Sequence, residues 1–276
     1  VLGQEASSMI LRQPDTVTAY PSGSSSAGRT TYTYGNALTK ACEELKARII
    51  NRAGLLLFID SDKDLRLVPG KVIHPPSSRE VPLERLASFM PREDRVCISQ
   101  YVAPVCEEVP DTATGFFIGF PHVIFAYGAH LARVQVDLST GVIRVLDYLA
   151  ATDGGRVVNP AMFDQQVHGG VGQGLGYALT EDLVTHEGRV MSRDLGTYLV
   201  PGAMDVPDIV SIPYHNNEDT GPFGMKGIGE VAMNGPLPAI ANAVAGACGI
   251  RLRHAPLTPP RVLAAVMQGN RLKAED

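Results

Sequence analysis

Apolar residues in this chain recur with two periods, and clusters of glycine, proline and serine separate the runs. Residues 1–11 carry an apolar-periodic start that reads as part of a helix. Residues 12–29 are turn-rich, with Gln13-Pro14-Asp15-Thr16 and Pro21-Ser22-Gly23-Ser24-Ser25-Ser26. From Asn36 onward, Ala37, Leu38, Ala41, Cys42, Leu45 and Ile49 repeat at helical spacing and predict a helix that ends near Gly54. Residues 55–80 alternate and turn at Pro69-Gly70, a hairpin pattern, and Leu83, Leu86, Ala87 and Met90 predict a short helix over 82–90. The stretch 91–122 is irregular. Val123–Tyr127 then leads into the clearest β signal: His130–Asp137 outward, a turn at Leu138-Ser139-Thr140-Gly141, and Val142–Ala150 returning.

After Asn159-Pro160 a helix is expected over 161–179, although it holds Gly169, Gly170, Gly172, Gly174 and Gly176. Each glycine costs a helix roughly 1 kcal/mol relative to alanine. Close approach of another backbone or of a bulky ligand is the physical reason to tolerate them. Residues 196–214 read as extended and proline-punctuated. A loop over 215–229 precedes a helix at Ala239–Ala247, and 261–268 reads as a short amphipathic helix. No internal repeat is present. The mixture predicts an α+β protein, and its 276 residues suggest two α+β lobes across 1–276 with a split near 120–150.

Composition narrows the function classes. Hydrophobic residues make up 45% and charged residues 19%, so a packed core is expected. A net charge of -5, the absence of Trp and the lack of a basic patch with interleaved aromatics exclude nucleic-acid binding. No apolar run is long enough for a transmembrane helix, so no membrane association is expected. Cys42, Cys97, Cys106 and Cys248 form no Cys-x-x-Cys pair, which disfavours zinc and iron–sulfur sites in this chain. Reduced, buried thiols and a cytoplasmic setting follow. His122, His130, His168 and His254 lack metal-ligand spacing and read as structural or surface residues.

The segment Gly221–Glu230 is the most informative. Gly227-Ile228-Gly229-Glu230-Val231-Ala232 formally fits a dinucleotide fingerprint, but no strand precedes it, Pro236 and Pro238 break the expected helix, and no acidic residue follows about 20 positions on. What remains is a glutamate on a glycine-rich turn. It is either a surface carboxylate or one partly desolvated beside Ile228 and Val231 and so poised as a general base. The Gly/Ser loop ahead of the helix from Asn36 is likewise either a flexible linker or an anion-binding turn. Lys226 either steadies a phosphate or the glutamate, or is solvated. Arg29 could pair with a phosphate or with Asp15, while Asp153 and Arg156 read as braces for the loop entering the glycine-rich helix.

Three segments taken in order resemble the xanthine dehydrogenase/aldehyde oxidase family of molybdenum hydroxylases. They are Ser26-Ala27-Gly28-Arg29-Thr30-Thr31-Tyr32-Thr33-Tyr34-Gly35-Asn36-Ala37, then Asp153–Pro160 running into Gln165–Glu181, then Lys226–Glu230 followed by Pro238–Ala243. The resemblance covers about residues 12–267. It implies the C-terminal molybdopterin-binding domain of such enzymes, with mixed sheets and packed helices, and an oxidoreductase that hydroxylates an aldehyde or N-heterocycle carbon with water-derived oxygen.

By the same resemblance Glu230 is the catalytic base. Ala27, Gly28, Arg29, Thr30, Thr31, Gln173, Gly227 and Gly229 lie against the molybdenum–molybdopterin cofactor, in some members a cytosine dinucleotide. No protein side chain ligates the metal. The preceding molybdopterin lobe is absent from this sequence, so a second molybdopterin-binding chain or lobe is an implied partner in a hetero-oligomer; in nicotinate dehydrogenase the halves are separate chains. Iron–sulfur clusters and FAD on partner chains carry electrons away, and the substrate is a small molecule. Val231 stands where the family often has proline. A contrasting reading is a non-catalytic structural or assembly subunit of such a complex.

Overall fold

The computed structural model describes residues 1–104 and 124–274. Contacts divide the chain into a first unit of Val1–Ser25 with Arg29–Pro104 and a second of Ser26–Gly28 with Val105–Asp276. This contact boundary lies ahead of the split read from sequence near 120–150. Cys106, His122, Val123 and the later part of the irregular stretch lie outside the described residues.

In the first unit, α1 (Gly35–Leu57) follows a π-helical turn over Thr30–Tyr34 and closes on Phe58, whose left-handed backbone returns its amide to Gly54 and Leu55. Strands β1 (Arg66–Val68), β2 (Lys71–His74) and β3 (Arg79–Pro82) form an antiparallel sheet in that order, and α2 (Leu83–Phe89) follows. The expected hairpin turns at Pro69-Gly70, where Gly70 supplies a φ of +74°. The third strand escapes sequence reading because Val81 is its one buried side chain. Ala53, Leu57, Leu65, Val72, Val81, Leu86 and Met90 make the core.

The helical start expected over 1–11 is a single 3-10 turn, Ala6–Ser8. Gly3 takes a φ of +61°, and the Gln4 side chain donates to Val68 O at 2.9 Å and accepts from Gly70 N at 2.8 Å. These bonds to the hairpin replace helical ones.

The second unit is built on β4 (Gly128–Val136) and β5 (Ile143–Asp153), antiparallel as expected. Next come α3 (Pro160–Leu179), a small hairpin of β6 (Thr185–His186) and β7 (Arg189–Val190), and β8 (Ile209–Tyr214), which pairs parallel to β5 on its other side. The chain finishes with α4 (Val231–Asn234), α5 (Pro236–Cys248) and α6 (Pro259–Ala274). Tyr148, Ala150 and Thr152 alternate along β5 as buried positions, and Asp153 at its end is buried as well. Tyr148 and Ala150 share one core with Phe163, Val167, Val171 and Leu175 of α3, Ile240 and Val244 of α5, and Val262 of α6.

The fold is thus α+β, with a mixed sheet and packed helices. Asn159 caps α3 by accepting from Met162 N at 3.1 Å, and Pro160 occupies the first turn, where no amide donor is needed. Pro236 likewise starts α5 instead of interrupting it, so this helix begins earlier than predicted. Cys42, Cys97 and Cys248 are free and half-buried, less enclosed than expected. Among the described residues no helix is long and apolar enough to cross a membrane.

The glycines of α3 divide by surroundings. A methyl group at Gly170 would lie 2.8 Å from Ala232 Cβ and one at Gly174 2.5 Å from Pro236 Cγ, whereas at Gly169 no described residue lies within 4 Å. The first two therefore let α4 and α5 reach the helix backbone. We expect Gly169→Ala to stabilise the protein by up to about 1 kcal/mol through helix propensity. Gly174→Ala should destabilise it by about 1–3 kcal/mol through overpacking. Urea unfolding of both variants checks this, and equal effects would show that α3 does not meet Pro236 closely.

Candidate functional site

The last residue of β5, Asp153, and Lys226 from the loop after β8 form a buried ion pair. Asp153 Oδ2 accepts from Lys226 Nζ at 2.8 Å, with side-chain exposures of 0% and 4%. The ammonium also donates to Phe125 O at 3.0 Å and sits 5.7 Å from the Tyr127 ring centroid. Asp153 accepts from Gly155 N at 3.0 Å and Asn216 Nδ2 at 3.3 Å. Burial pushes the Asp153 carboxyl up, but Lys226, the Gly155 amide and Asn216 outweigh it and hold the group below its ordinary value. Lys226 is therefore neither solvated nor aimed at the glutamate. Asp153 does brace the loop, as its position before the glycine-rich helix suggested.

The backbone is joined at the same place. Lys226 N donates to Gly154 O at 3.1 Å and Arg156 N to Gly224 O at 2.8 Å, with a β-bridge between Gly155 and Met225. At Gly155, with φ +61°, a side chain would strike Gly224 O.

From this junction the chain runs Gly227-Ile228-Gly229-Glu230. Gly28, with φ +69°, lies so close that its own methyl substituent would be 3.1 Å from Gly227 Cα, and one at Gly227 would overlap the Gly28 backbone. Gln166 of α3 donates its Nε2 to Gly229 O at 2.8 Å. Glu230 is the residue before α4, its carbonyl accepting from Met233 N at 3.0 Å. Ile228 packs on the core, Ala232 is buried, and Val231 faces Gly128.

Glu230 itself is exposed. Partial desolvation by Ile228 and Val231, expected from sequence, is not what the chain provides. Ile228 packs on the core and Val231 lies half-buried against Gly128, while the glutamate between them is exposed.

The structure thus brings together Gly28, Gly227, Gly229 and Glu230 of the second unit. Ala27 precedes Gly28 with a φ of +55° and is exposed. Gly229 has open space where a side chain would be. Gln173 is exposed on α3, two turns from Gln166 and along the same face. Gln166 was missed by sequence reasoning; its seven-residue offset from Gln173 was the available signal.

Arg29, Thr30 and Thr31 belong to the first unit, at the start of its π-helical turn, where Arg29 O accepts from Thr33 Oγ1 at 2.6 Å. Asp15, considered as a partner of Arg29, caps its own turn by accepting from Val17 N and Thr18 N at 2.8 and 2.7 Å. The dinucleotide fingerprint stays excluded: no described strand leads directly into Gly227, and α4 is a four-residue helix.

Small residues in main-chain contact, the exposed amide side chains of Gln166 and Gln173 and the exposed carboxylate of Glu230 all belong to the second unit. A family model described as "Molybdopterin cofactor-binding domain" matches residues 1–207, and the chain belongs to that family. It is 38% identical over 155 residues to the probable hypoxanthine oxidase XdhD of Escherichia coli (strain K12), covering 55% of this chain and 16% of that protein. It is 30% identical over 254 residues to the aldehyde oxidoreductase of Megalodesulfovibrio gigas, covering 92% and 24%. Among solved structures, quinoline 2-oxidoreductase from Pseudomonas putida 86 superposes with a TM-score of 0.71 at 26% identity, over 88% of this chain and 30% of that one. The chain therefore spans only 16% and 24% of the curated relatives named. Its fold is that of a molybdopterin-binding domain of molybdenum hydroxylases.

The Gly28–Gly227 contact has a mechanical consequence. We expect Gly227→Ala to lower stability by about 1–3 kcal/mol, because the added methyl meets unyielding backbone. Chemical denaturation followed through the second unit measures it; wild-type stability would contradict the close approach.

Proposed function

We propose that this chain forms part of a molybdenum hydroxylase that oxidatively hydroxylates an aldehyde or N-heterocycle carbon with oxygen from water, and that Glu230 is its general base. The observation that carries the reading is the convergence of Gly28, Gln166 and the Asp153–Lys226 pair on the segment ending at Glu230, with its carboxylate left outward. The relatives named hypoxanthine oxidase and quinoline 2-oxidoreductase support an N-heterocycle, and the one named aldehyde oxidoreductase supports an aldehyde.

The residues present fit the cofactor. The main-chain contact of Gly28 with Gly227 admits no side chain at either position, and no described residue lies within 4 Å of where a side chain at Gly229 would start, so this stretch presents bare backbone to a large ligand. Ala27, Gly28, Gly227, Gly229 and Gln173 of the second unit would hold molybdopterin, including a cytosine-dinucleotide form. Bound there, the cofactor supplies the two-electron redox chemistry. Glu230 takes a proton during the attack of the water-derived oxygen, a role that requires an ionised carboxylate within hydrogen-bond reach. The small-residue cradle fixes position without competing for space.

The partners of this reading are the remaining molybdopterin-binding lobe or subunit, chains bearing iron–sulfur clusters and FAD, and a small-molecule substrate. Its setting is the cytoplasm.

In the assembled complex, Glu230→Gln should lower turnover by about 10²–10⁴-fold while molybdenum content stays at the wild-type level. Undiminished turnover would overturn the base assignment. An intact wild-type complex without molybdenum would instead support a structural or assembly subunit.

A further inference from the structure

The proton transfer assigned to Glu230 makes no direct use of the ion pair beneath it. We propose that Asp153 and Lys226 are positioning residues that fix where Glu230 stands, acting through the loop and touching neither substrate nor cofactor. The inference rests on Glu230 being the general base.

Lys226 is four residues before Glu230, and two of the three residues between them are glycines. Local backbone preference therefore defines that stretch poorly. The holds on it differ in kind. Gly227 is held by contact with Gly28, and Gly229 by an exposed glutamine amide that water can replace. At Lys226 the hold is buried: the side chain reaches Asp153 and Phe125 O, and its amide reaches Gly154 O.

Asp153 ties this point to the sheet. It ends β5 in register with Tyr214 of β8, and its amide donates to Tyr127 O at 2.8 Å. The two ions thus connect four stretches of the second unit: 125–127, 153–155, Asn216 and 226. The glutamate is referenced through them to the sheet instead of to neighbouring loops.

The pair also has a pH signature. Besides each other, the ions face Tyr127 and Phe125 O before β4, Gly155 N after β5 and Asn216 after β8, so no further described charge compensates a loss. In the wild type Asp153 lies below its ordinary value, so the pair's contribution is present above the ordinary carboxylate range and is lost as pH falls through the folded value. In Lys226→Met the ammonium's lowering of the Asp153 carboxyl is gone while burial remains, so the carboxyl moves up from its wild-type position and the loop's hold through Gly155 N and Asn216 is lost at higher pH on the acid side.

The test uses the assembled holoenzyme carrying Lys226→Met, Asp153→Asn, the double variant, or Glu230→Gln. Molybdenum content, kcat and KM across pH, and hydrogen exchange of peptides spanning 224–232, β5 and α3 are measured, with exchange repeated on cofactor-free complex. Each single variant should lower kcat about 10- to 100-fold with KM little changed, and speed exchange in 224–232. The acid-side loss of kcat in Lys226→Met should also begin at higher pH than in the wild type.

The double variant leaves no unpaired buried ion. Its β5 and α3 exchange should match wild type while 224–232 still exchanges faster and kcat stays about tenfold down. If a single variant fails to assemble, the double variant carries the test. A double variant with wild-type kcat and wild-type exchange over 224–232 overturns the positioning role. Full turnover in Glu230→Gln would instead overturn the base assignment, while the exchange data still report whether the pair holds the loop.

Discussion

An ammonium and a carboxylate 2.8 Å apart, both withdrawn from water, set the terms on which the functional half of this chain is built. Removing such ions from solvent costs several kcal/mol each, and their attraction offsets this only when the remaining donors and acceptors are also satisfied. Here they are: Phe125 O and the Tyr127 ring complete Lys226, while Gly155 N and Asn216 complete Asp153. A pair so enclosed is a poor source of net stability and a good source of uniqueness, because any alternative path for the 224–230 loop strands a charge. That specificity allows the following residues to be glycines.

Glycine is used here for proximity more than for flexibility. Gly170 and Gly174 bring α4 and α5 onto the backbone of α3, and Gly28 and Gly227 bring two loops into main-chain contact. Each removes a side chain where another stretch of the chain passes too close to leave room for one. The propensity lost in α3 is offset by burial of Val167, Val171 and Leu175 along its other positions. Gly169 and Gly172 do not fit this account, since among the described residues nothing comes within 4 Å of a methyl at the first and only Val206 Cγ2, at 3.9 Å, does at the second.

Much of the fold was legible because the signals were periodic or strongly punctuated. The β4–β5 hairpin, α1, α2, α3 and the Pro69-Gly70 turn all follow from alternation, helical spacing and caps. The elements that escaped are those whose partners are distant or whose own pattern is short. β3 buries a single residue, and the parallel pairing of β8 with β5 joins positions some sixty residues apart. Residues 1–11 misled because Gln4 found bonds on a hairpin that local spacing cannot foresee. The site shows the same division. Gly227 and Glu230 stand out in a glycine-rich turn, but the Asp153–Lys226 pair links residues 73 apart, and a lysine beside glycines reads as a solvated one until its partner is located.

The exposure of Glu230 then takes on a definite meaning. A carboxylate just before a four-residue helix whose Ala232 is buried in the core has its position determined by this chain and its outer surroundings left open. Position and environment are separable demands on a general base: the first requires a rigid backbone, the second walls that exclude water. Asp153, Lys226, Gly28 and Gln166 meet the first demand. The second falls to whatever packs over this face. With Glu230 as the proposed base, its placement is set by contacts made within the second unit, through Gln166 and the Asp153–Lys226 pair, in a chain that spans only 16% and 24% of the relatives named above.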